Sequence, residues 1–236
     1  MSSDKSFGYW GGNMGRSVKP SVMSTLHLAE LFRAPQHTEV CKSDFVRAGK
    51  FMRGEWPRPL PPIIKRTRGR EWLQALDMAP YLCIDTEYVT ATQHMWCLGI
   101  GGPGTPIYQW WPEQPDAGYR VEVQADLRWL IQRKPVVFQN ALADLPILER
   151  NLGLHYADFK RVDDLLFVHS LLWCELSHTL EFIASLSGWY EKLKHLPMSD
   201  PRYNAGDVAE TIAAWEQYSG EMRRDPQTEW VYNECM

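Results

Sequence analysis

A mixed α/β domain is the fold class that this 236-residue sequence predicts. Three observations point to it. Strand-like runs follow one another in hairpin order between residues 81 and 111. Helical periodicity then alternates with short apolar strands. Gly- and Pro-rich turns separate the two patterns at the places where the period changes. The expected architecture is a mixed five-stranded sheet flanked by helices over residues 71–236, preceded by an irregular, basic N-terminal extension over residues 1–70.

Within residues 1–70 the only helical pattern is a short one near "STLHLAELFRA". The four prolines of "WPRPLPPIIKRTRGR" read as excluding a regular element and leave an extended basic connector. From residue 71 the elements sharpen. "EWLQALDMA" predicts a short helix, "YLCIDTE" a strand at 81–87, "HMWCLGI" a strand at 94–100 and "IYQWW" a strand at 107–111. "GGPGTP" makes the last two a hairpin. "VEVQADLRWLIQRK" carries Val123, Leu127, Leu130 and Ile131 at helical spacing. "PVVFQN" predicts a buried strand, and "ALADLPILERNLG" a helix stopped by Gly153. A short strand near 158–162 and a helix over about 164–173 follow. "SHTLEFIASLSG" predicts a helix capped by Ser177, and "YNAGDVAETIAAWEQYSGEM" the last strong one.

Composition excludes several classes. No run approaches the roughly 18 apolar residues of a membrane helix, and "MSSDKSFGYWGGNMGRSVKP" has no apolar signal core, so no membrane or export role is expected. The five cysteines are scattered without a CxxC pair, which argues for a reducing compartment, the cytoplasm, and against a zinc site. Cys83 and Cys97 fall in apolar runs as small hydrophobes. The net charge of −4 hides an asymmetry: residues 1–70 hold 13 Lys/Arg against 5 Asp/Glu, residues 71–236 hold 12 against 24. A basic arm on an acidic body suits a polyanion meeting a metal-dependent site; a solvated leader is the alternative.

Gly99, Gly101 and Gly104 fit GxGxxG, but that fingerprint needs a helix N-terminus next. Pro103, Pro106 and a strand follow instead, so a hairpin turn is the reading. Asp85 and Glu87, two apart on a strand, project to one face. Carboxylates this close repel unless a cation lies between them, and hard oxygen ligands suit Mg²⁺ or Mn²⁺. Taken alone, that pair is explained better by a solvated strand end than by a metal site. Asp144 lies four residues after Asn140 at a strand-to-helix junction, and Asp207 four after Tyr203 on the last helix. Asp163 and Asp164 precede a helix and read as caps. His94, His155, His169, His178 and His195 show no ligand spacing. Trp110 and Trp111 end a strand, one of them in the core.

The ordered set of DxE on the first strand, NxxxD at a later junction and YxxxD on the last helix resembles the DEDD superfamily of 3′–5′ exonucleases, tyrosine subclass, over about residues 80–218. "VVFQNALADLPIL" and "YNAGDVAETIAAWE" look most like the proofreading domain of family A (polymerase I-like, bacterial and phage) DNA polymerases. The resemblance implies a ribonuclease-H-like fold and an exonuclease that releases nucleoside 5′-monophosphates from single-stranded or frayed DNA 3′ ends, in replication proofreading or repair. It implies two divalent cations, Mg²⁺ or Mn²⁺. Asp85 would bridge them, Glu87 and Asp207 would complete one, and Asp144 would hold the second, while Tyr203 would orient the attacking water. Phenols titrate near about 10, too high for a ready base at neutral pH, which agrees with an orienting role. Thr86 and Asn140 are implied substrate contacts. RNA exonucleases of the RNase D and Werner type share the subclass and are the alternative, as is a polymerase-associated replisome subunit. Family A polymerases continue for several hundred residues beyond this domain, whereas this sequence ends 29 residues after Asp207. The sequence is then either a piece of such a polymerase or a freestanding exonuclease, in a bacterial or phage-infected cytoplasm, whose basic arm grips DNA or docks a separate polymerase.

Overall fold

The computed structural model describes residues 38–55, 57–65, 71–111, 117–187, 190 and 193–235. The chain divides into two compact units, Met1–Trp56 and Pro57–Met236. In the first, the described element is helix α1 (Thr38–Met52), which buries Val40 and Cys41. The helix expected near residues 24–34 lies outside the described residues. α1 itself was not expected. Its apolar residues are few and two of them, Phe45 and Val46, are exposed, so its periodicity is weak.

The second unit is built on a six-stranded mixed sheet in the order β1-β4-β3-β2-β5-β6. The strands are β1 (Ile63–Lys65), β2 (Leu82–Val89), β3 (His94–Gly101), β4 (Ile107–Trp110), β5 (Val136–Phe138) and β6 (Val162–Asp164). β2–β3 and β3–β4 pair antiparallel, as the hairpin reading required. β2–β5, β5–β6 and β1–β4 pair parallel. The sheet therefore has the expected mixed α/β character with one strand more than five. The extra strand corrects the reading of residues 56–70: prolines do not exclude a regular element there. Pro61 and Pro62 stop just short of it, the Pro62 carbonyl accepts the Ile107 N–H at 2.9 Å, and the next three residues keep every N–H the ladder needs.

The helices are α2 (Glu71–Asp77), α3 (Ala117–Ile131), α4 (Ala141–Leu152), α5 (Leu165–Leu172), α6 (Leu180–Ser187), α7 (Pro201–Met222) and α8 (Pro226–Cys235). On one face of the sheet, Trp72, Leu76, Leu127, Leu130, Ile147 and Leu148 from α2, α3 and α4 pack on Leu82, Ile84, Leu98 and Ile100. The other face carries α7. Its approach is set by Gly99 and Gly101, where an added Cβ would crowd Asn204, Val208 and Ile107. The GxGxxG-like run is thus a packing and turn device: Gly99 and Gly101 admit a helix, and Gly104 adopts φ 74° in the β3–β4 turn. Cys83 and Cys97 are fully buried and unpaired, as small hydrophobes should be. Among the described residues no helix is long and apolar enough to cross a membrane.

One helix boundary and one further helix differ from expectation. α6 begins at Leu180, and Thr179 rather than Ser177 receives the N–H of Phe182 on its hydroxyl, at 3.3 Å. α8, a helix over residues 226–235 that the sequence pattern did not announce, buries Tyr232 as its one anchor.

Candidate active site

Strand alternation sets the first wall of the site. Leu82, Ile84 and Thr86 point toward the core under α4, while Cys83, Asp85 and Glu87 point to the α7 face. Asp85 pairs across the ladder with Gly99. Because Gly99 has no side chain, α7 comes close enough for Asn204 to reach Asp85. The Asn204 Nδ2 donates to Asp85 Oδ2 at 2.7 Å and to the Asp85 carbonyl at 3.3 Å. The Gln109 side chain donates in turn to Asn204 Oδ1 at 3.1 Å and to the Pro201 carbonyl at 2.7 Å. This relay fixes both the rotamer of Asp85 and the first turn of α7. That turn starts from Asp200, whose side chain accepts the Arg202 N–H at 2.9 Å ahead of Pro201 at N1.

One turn along α7, Asp207 comes to the same place. Asp85, Glu87 and Asp207 each offer an oxygen, and the three lie within 4.8 Å of one another. Asp144 falls outside that group and sits at the start of α4, where Thr86 holds it. The Thr86 N–H and hydroxyl both donate to Asp144 Oδ1, at 3.0 and 2.5 Å. Thr86 is buried, so its polar groups are spent on Asp144. Tyr203, on the α7 face with Asp207, accepts a hydrogen bond from Lys194 at 3.1 Å. Lys194 also pairs with Asp207 Oδ2 at 2.5 Å.

Asn140 takes a left-handed conformation (φ 71°, ψ 66°) and makes no side-chain cap hydrogen bond. Its N–H and that of Ala141 donate to the Asp164 carboxylate at 3.0 and 2.9 Å. The same carboxylate caps α5 through the Leu166 N–H at 2.8 Å. Asp164 is therefore a cap, as expected, for two helices at once, and it steers the junction that carries Asp144. Asp163 pairs with Arg161 and accepts from the Tyr232 hydroxyl at 2.9 Å. Asp164→Ala is expected to cost about 2–4 kcal/mol, since three N–H groups lose one acceptor. Urea denaturation checks this; an unchanged midpoint would mean that water replaces the carboxylate.

The electrostatics follow from crowding four carboxylates in a half-buried space. Burial, then Asp207, Asp144 and Glu87, hold the Asp85 carboxyl well above its usual range. Burial and Asp207 push Glu87 up to about 7. Burial pushes Asp144 up to about 7 against the pull of both Thr86 hydrogen bonds. Burial raises Asp207 too, partly reversed by Lys194. Hard carboxylate oxygens that converge, resist ionising alone and are pre-oriented by Asn204 and Thr86 fit a divalent cation of the Mg²⁺ or Mn²⁺ type.

The structure thus brings Asp85, Glu87 and Asp207 together, with Tyr203 and Asp207 joined through Lys194, and Asp144 tied to the same strand through Thr86. Sequence reasoning missed Asn204, Gln109 and Lys194. The available signals were a lone glutamine inside the apolar strand "IYQWW" and an asparagine on the buried face of α7. Of the histidines without ligand spacing, His94, His155 and His195 are exposed, whereas His169 is fully buried, with its Nδ1 2.8 Å from that of His178, and burial, then His178, lowers it to about 4. Trp110 is core, and Trp111 packs on Trp96 with ring centroids 5.4 Å apart.

Solved structures share this fold. Brucella melitensis NrnC bound to pGG aligns at TM-score 0.57 and 16% identity, over 73% of this chain and 87% of that one. The same protein with bound Mg²⁺ aligns at 0.54 and 15%, over 74% and 89%. Escherichia coli RNase D, an exoribonuclease involved in structured RNA processing, aligns at 0.56 and 13%, over 74% and 48%. Trypanosoma brucei RNase D in complex with RNA U12 aligns at 0.53 and 14%, over 68% and 63%. At these identities the likeness is one of fold. No family model matches the chain, and no curated protein matches it.

Proposed function

We propose that this protein is a divalent-metal-dependent 3′–5′ exonuclease with Asp85, Glu87, Asp144 and Asp207 as its metal-holding carboxylates and Tyr203 as its water-orienting group. The observation that carries the reading is the convergence of Asp85, Glu87 and Asp207 oxygens within 4.8 Å. The fold shared with RNase D and with Mg²⁺-bound NrnC supports it.

Two divalent cations, when bound among these carboxylates, supply the positive charge that makes a water nucleophilic and offsets the charge left on the departing oxygen. The protein's own residues do the rest. Asn204 holds Asp85 in one rotamer, and Thr86 holds Asp144, so the oxygen positions are set before any ligand arrives. The Tyr203 hydroxyl presents an acceptor and a donor beside Asp207 and can fix a water in line with a terminal phosphodiester. In the hydrolysis a water oxygen bonds to phosphorus, the P–O3′ bond breaks, and a nucleoside 5′-monophosphate leaves a strand shortened by one residue with a free 3′ hydroxyl. Asn140 is the proposed contact for the strand end, a reading supported by its left-handed turn at the start of α4 and by a side chain that makes no cap hydrogen bond there.

On substrate, the motif resemblance supports single-stranded or frayed DNA ends, with a separate polymerase as a partner and the basic residues 1–70 contributing affinity for the polyanion. A second reading is an RNA exonuclease, favoured by the RNase D structures and the RNA U12 complex. Matched DNA and RNA oligonucleotides, labelled at either end and incubated with Mg²⁺, Mn²⁺ or EDTA, test both. Stepwise shortening from the 3′ end that stops in EDTA is expected. Degradation that persists in EDTA or starts at the 5′ end overturns the proposal. The faster initial rate assigns the substrate.

A further inference from the structure

Among the described residues, Lys194 is the cation that acts on Asp85, Glu87 and Asp207 alike, and its placement is built into the fold. It lies in the segment leading into α7. Leu193 packs there on Gly206, where an added Cβ would come within 3.0 Å of the Leu193 Cδ1. Leu193 is further tied by its carbonyl, which accepts the Leu196 N–H at 2.9 Å. Gly206 stands between Tyr203 and Asp207 in sequence, so seating Leu193 on it delivers the next side chain onto both. The ammonium of Lys194 donates to Asp207 Oδ2 at 2.5 Å and to the Tyr203 hydroxyl at 3.1 Å, and stands 4.1 Å from the Tyr203 ring centroid.

Asp207 Oδ2 is thus engaged by a resident positive charge at a carboxylate that belongs to the converging set. An ammonium and a divalent cation on one carboxylate repel across a few ångströms, so the two compete for it. The Lys194 side chain is 34% exposed and long enough to swing outward, whereas that of Asp207, 11% exposed, is not free to follow.

Resting on the metal-dependent reading above, we propose that Lys194 is a removable counter-ion: in the metal-free protein it neutralises Asp207 and braces Tyr203, and a divalent cation must displace it from Asp207 to load the site. The consequence is a site that is assembled before metal arrives, at the cost of weaker metal binding. Displaced from Asp207, the ammonium keeps its contact with the Tyr203 ring and hydroxyl.

The test is Mn²⁺ binding by isothermal titration at pH 8 to the full chain, to Lys194→Met, which keeps the apolar stem without the charge, and to Glu87→Gln. Thermal melts in EDTA and in saturating Mn²⁺ accompany it. The expected result is Mn²⁺ affinity about 10-fold tighter in Lys194→Met, since one competing charge is gone, with a melting temperature lowered in EDTA and restored in Mn²⁺. Unchanged or weaker Mn²⁺ affinity in Lys194→Met, with Glu87→Gln still abolishing binding, overturns this inference and leaves the metal-dependent reading standing. An equal loss of melting temperature with and without Mn²⁺ overturns it as well, because Lys194 would then be a packing residue. If neither wild type nor Lys194→Met binds Mn²⁺, the metal-dependent reading fails and this inference falls with it.

Discussion

Asp85→Asn is expected to abolish strand shortening, by about 10³-fold or more, while raising the stability of the metal-free protein at pH 8 by about 1–2 kcal/mol. Both effects have one cause. Asp85 sits half-buried among Glu87, Asp144 and Asp207, and its charge is tolerable when a cation offsets it and costly when none does. The amide keeps the shape and can still accept from Asn204 Nδ2, so the fold is retained. The same crowding sets a pH dependence. Glu87 and Asp144, held up to about 7, keep protons that the unfolded chain has released by about pH 4 to 5. Stability that is present below the unfolded values is therefore lost as pH rises through about 7. In EDTA the melting temperature should fall between about pH 5 and pH 8, less steeply in Asp85→Asn, and Mn²⁺ should restore it by binding the native state alone. Differential scanning calorimetry across that range, together with the oligonucleotide assay, checks all three statements. An Asp85→Asn protein with wild-type exonuclease rate would remove Asp85 from the site.

Gly99→Ala is expected to destabilise the protein by about 2–3 kcal/mol and to reduce activity beyond what the stability loss explains. A Cβ at this position falls on Asn204 Oδ1, well inside van der Waals contact, and 3.0 Å from Val208 Cγ2. Asn204 is almost fully buried and already committed to Gln109 and Asp85, so it cannot yield without releasing one of them. Either α7 lifts from the sheet, which separates Asp207 from Asp85, or Asp85 loses its rotamer lock. Gly104→Ala serves as the contrast. That turn glycine has φ 74° and nothing within 4 Å, so only the backbone strain of about 1 kcal/mol is at stake, far from the carboxylates. Urea denaturation and single-turnover rates on both variants separate the two cases. A Gly99→Ala protein with wild-type midpoint and rate would show that the close approach of α7 is not what aligns the site.

What was legible of the candidate site rested on local periodicity together with the motif resemblance that joined the separate spacings into one set. Asp85 and Glu87 share a face through the two-residue repeat of a strand, and Tyr203 and Asp207 share one through the four-residue spacing of a helix. Asp164 announced itself as a cap by preceding an apolar run. Elements too short or too sparsely apolar to show a period escaped. β1 is three residues long and exists only because β4 offers a free edge, while α8 has one buried anchor, Tyr232. Asn204, Gln109 and Lys194 escaped for a different reason: each partner lies on another element, 95 or 119 residues away for the first two.

By itself, then, the sequence determined the α/β class and the order of strands and helices from residue 71 to residue 222, because these depend on contacts between neighbours in the chain, and it pointed to the acidic residues through the order of their motifs. Only the tertiary structure decided that three of those carboxylates converge while Thr86 holds the fourth apart, that a glycine opposite Asp85 admits α7, and that a lysine already occupies Asp207. Those are matters of distance between separate segments, set by how closely α7 packs on the sheet and, for Lys194, by how Leu193 seats on Gly206, and no local pattern encodes them.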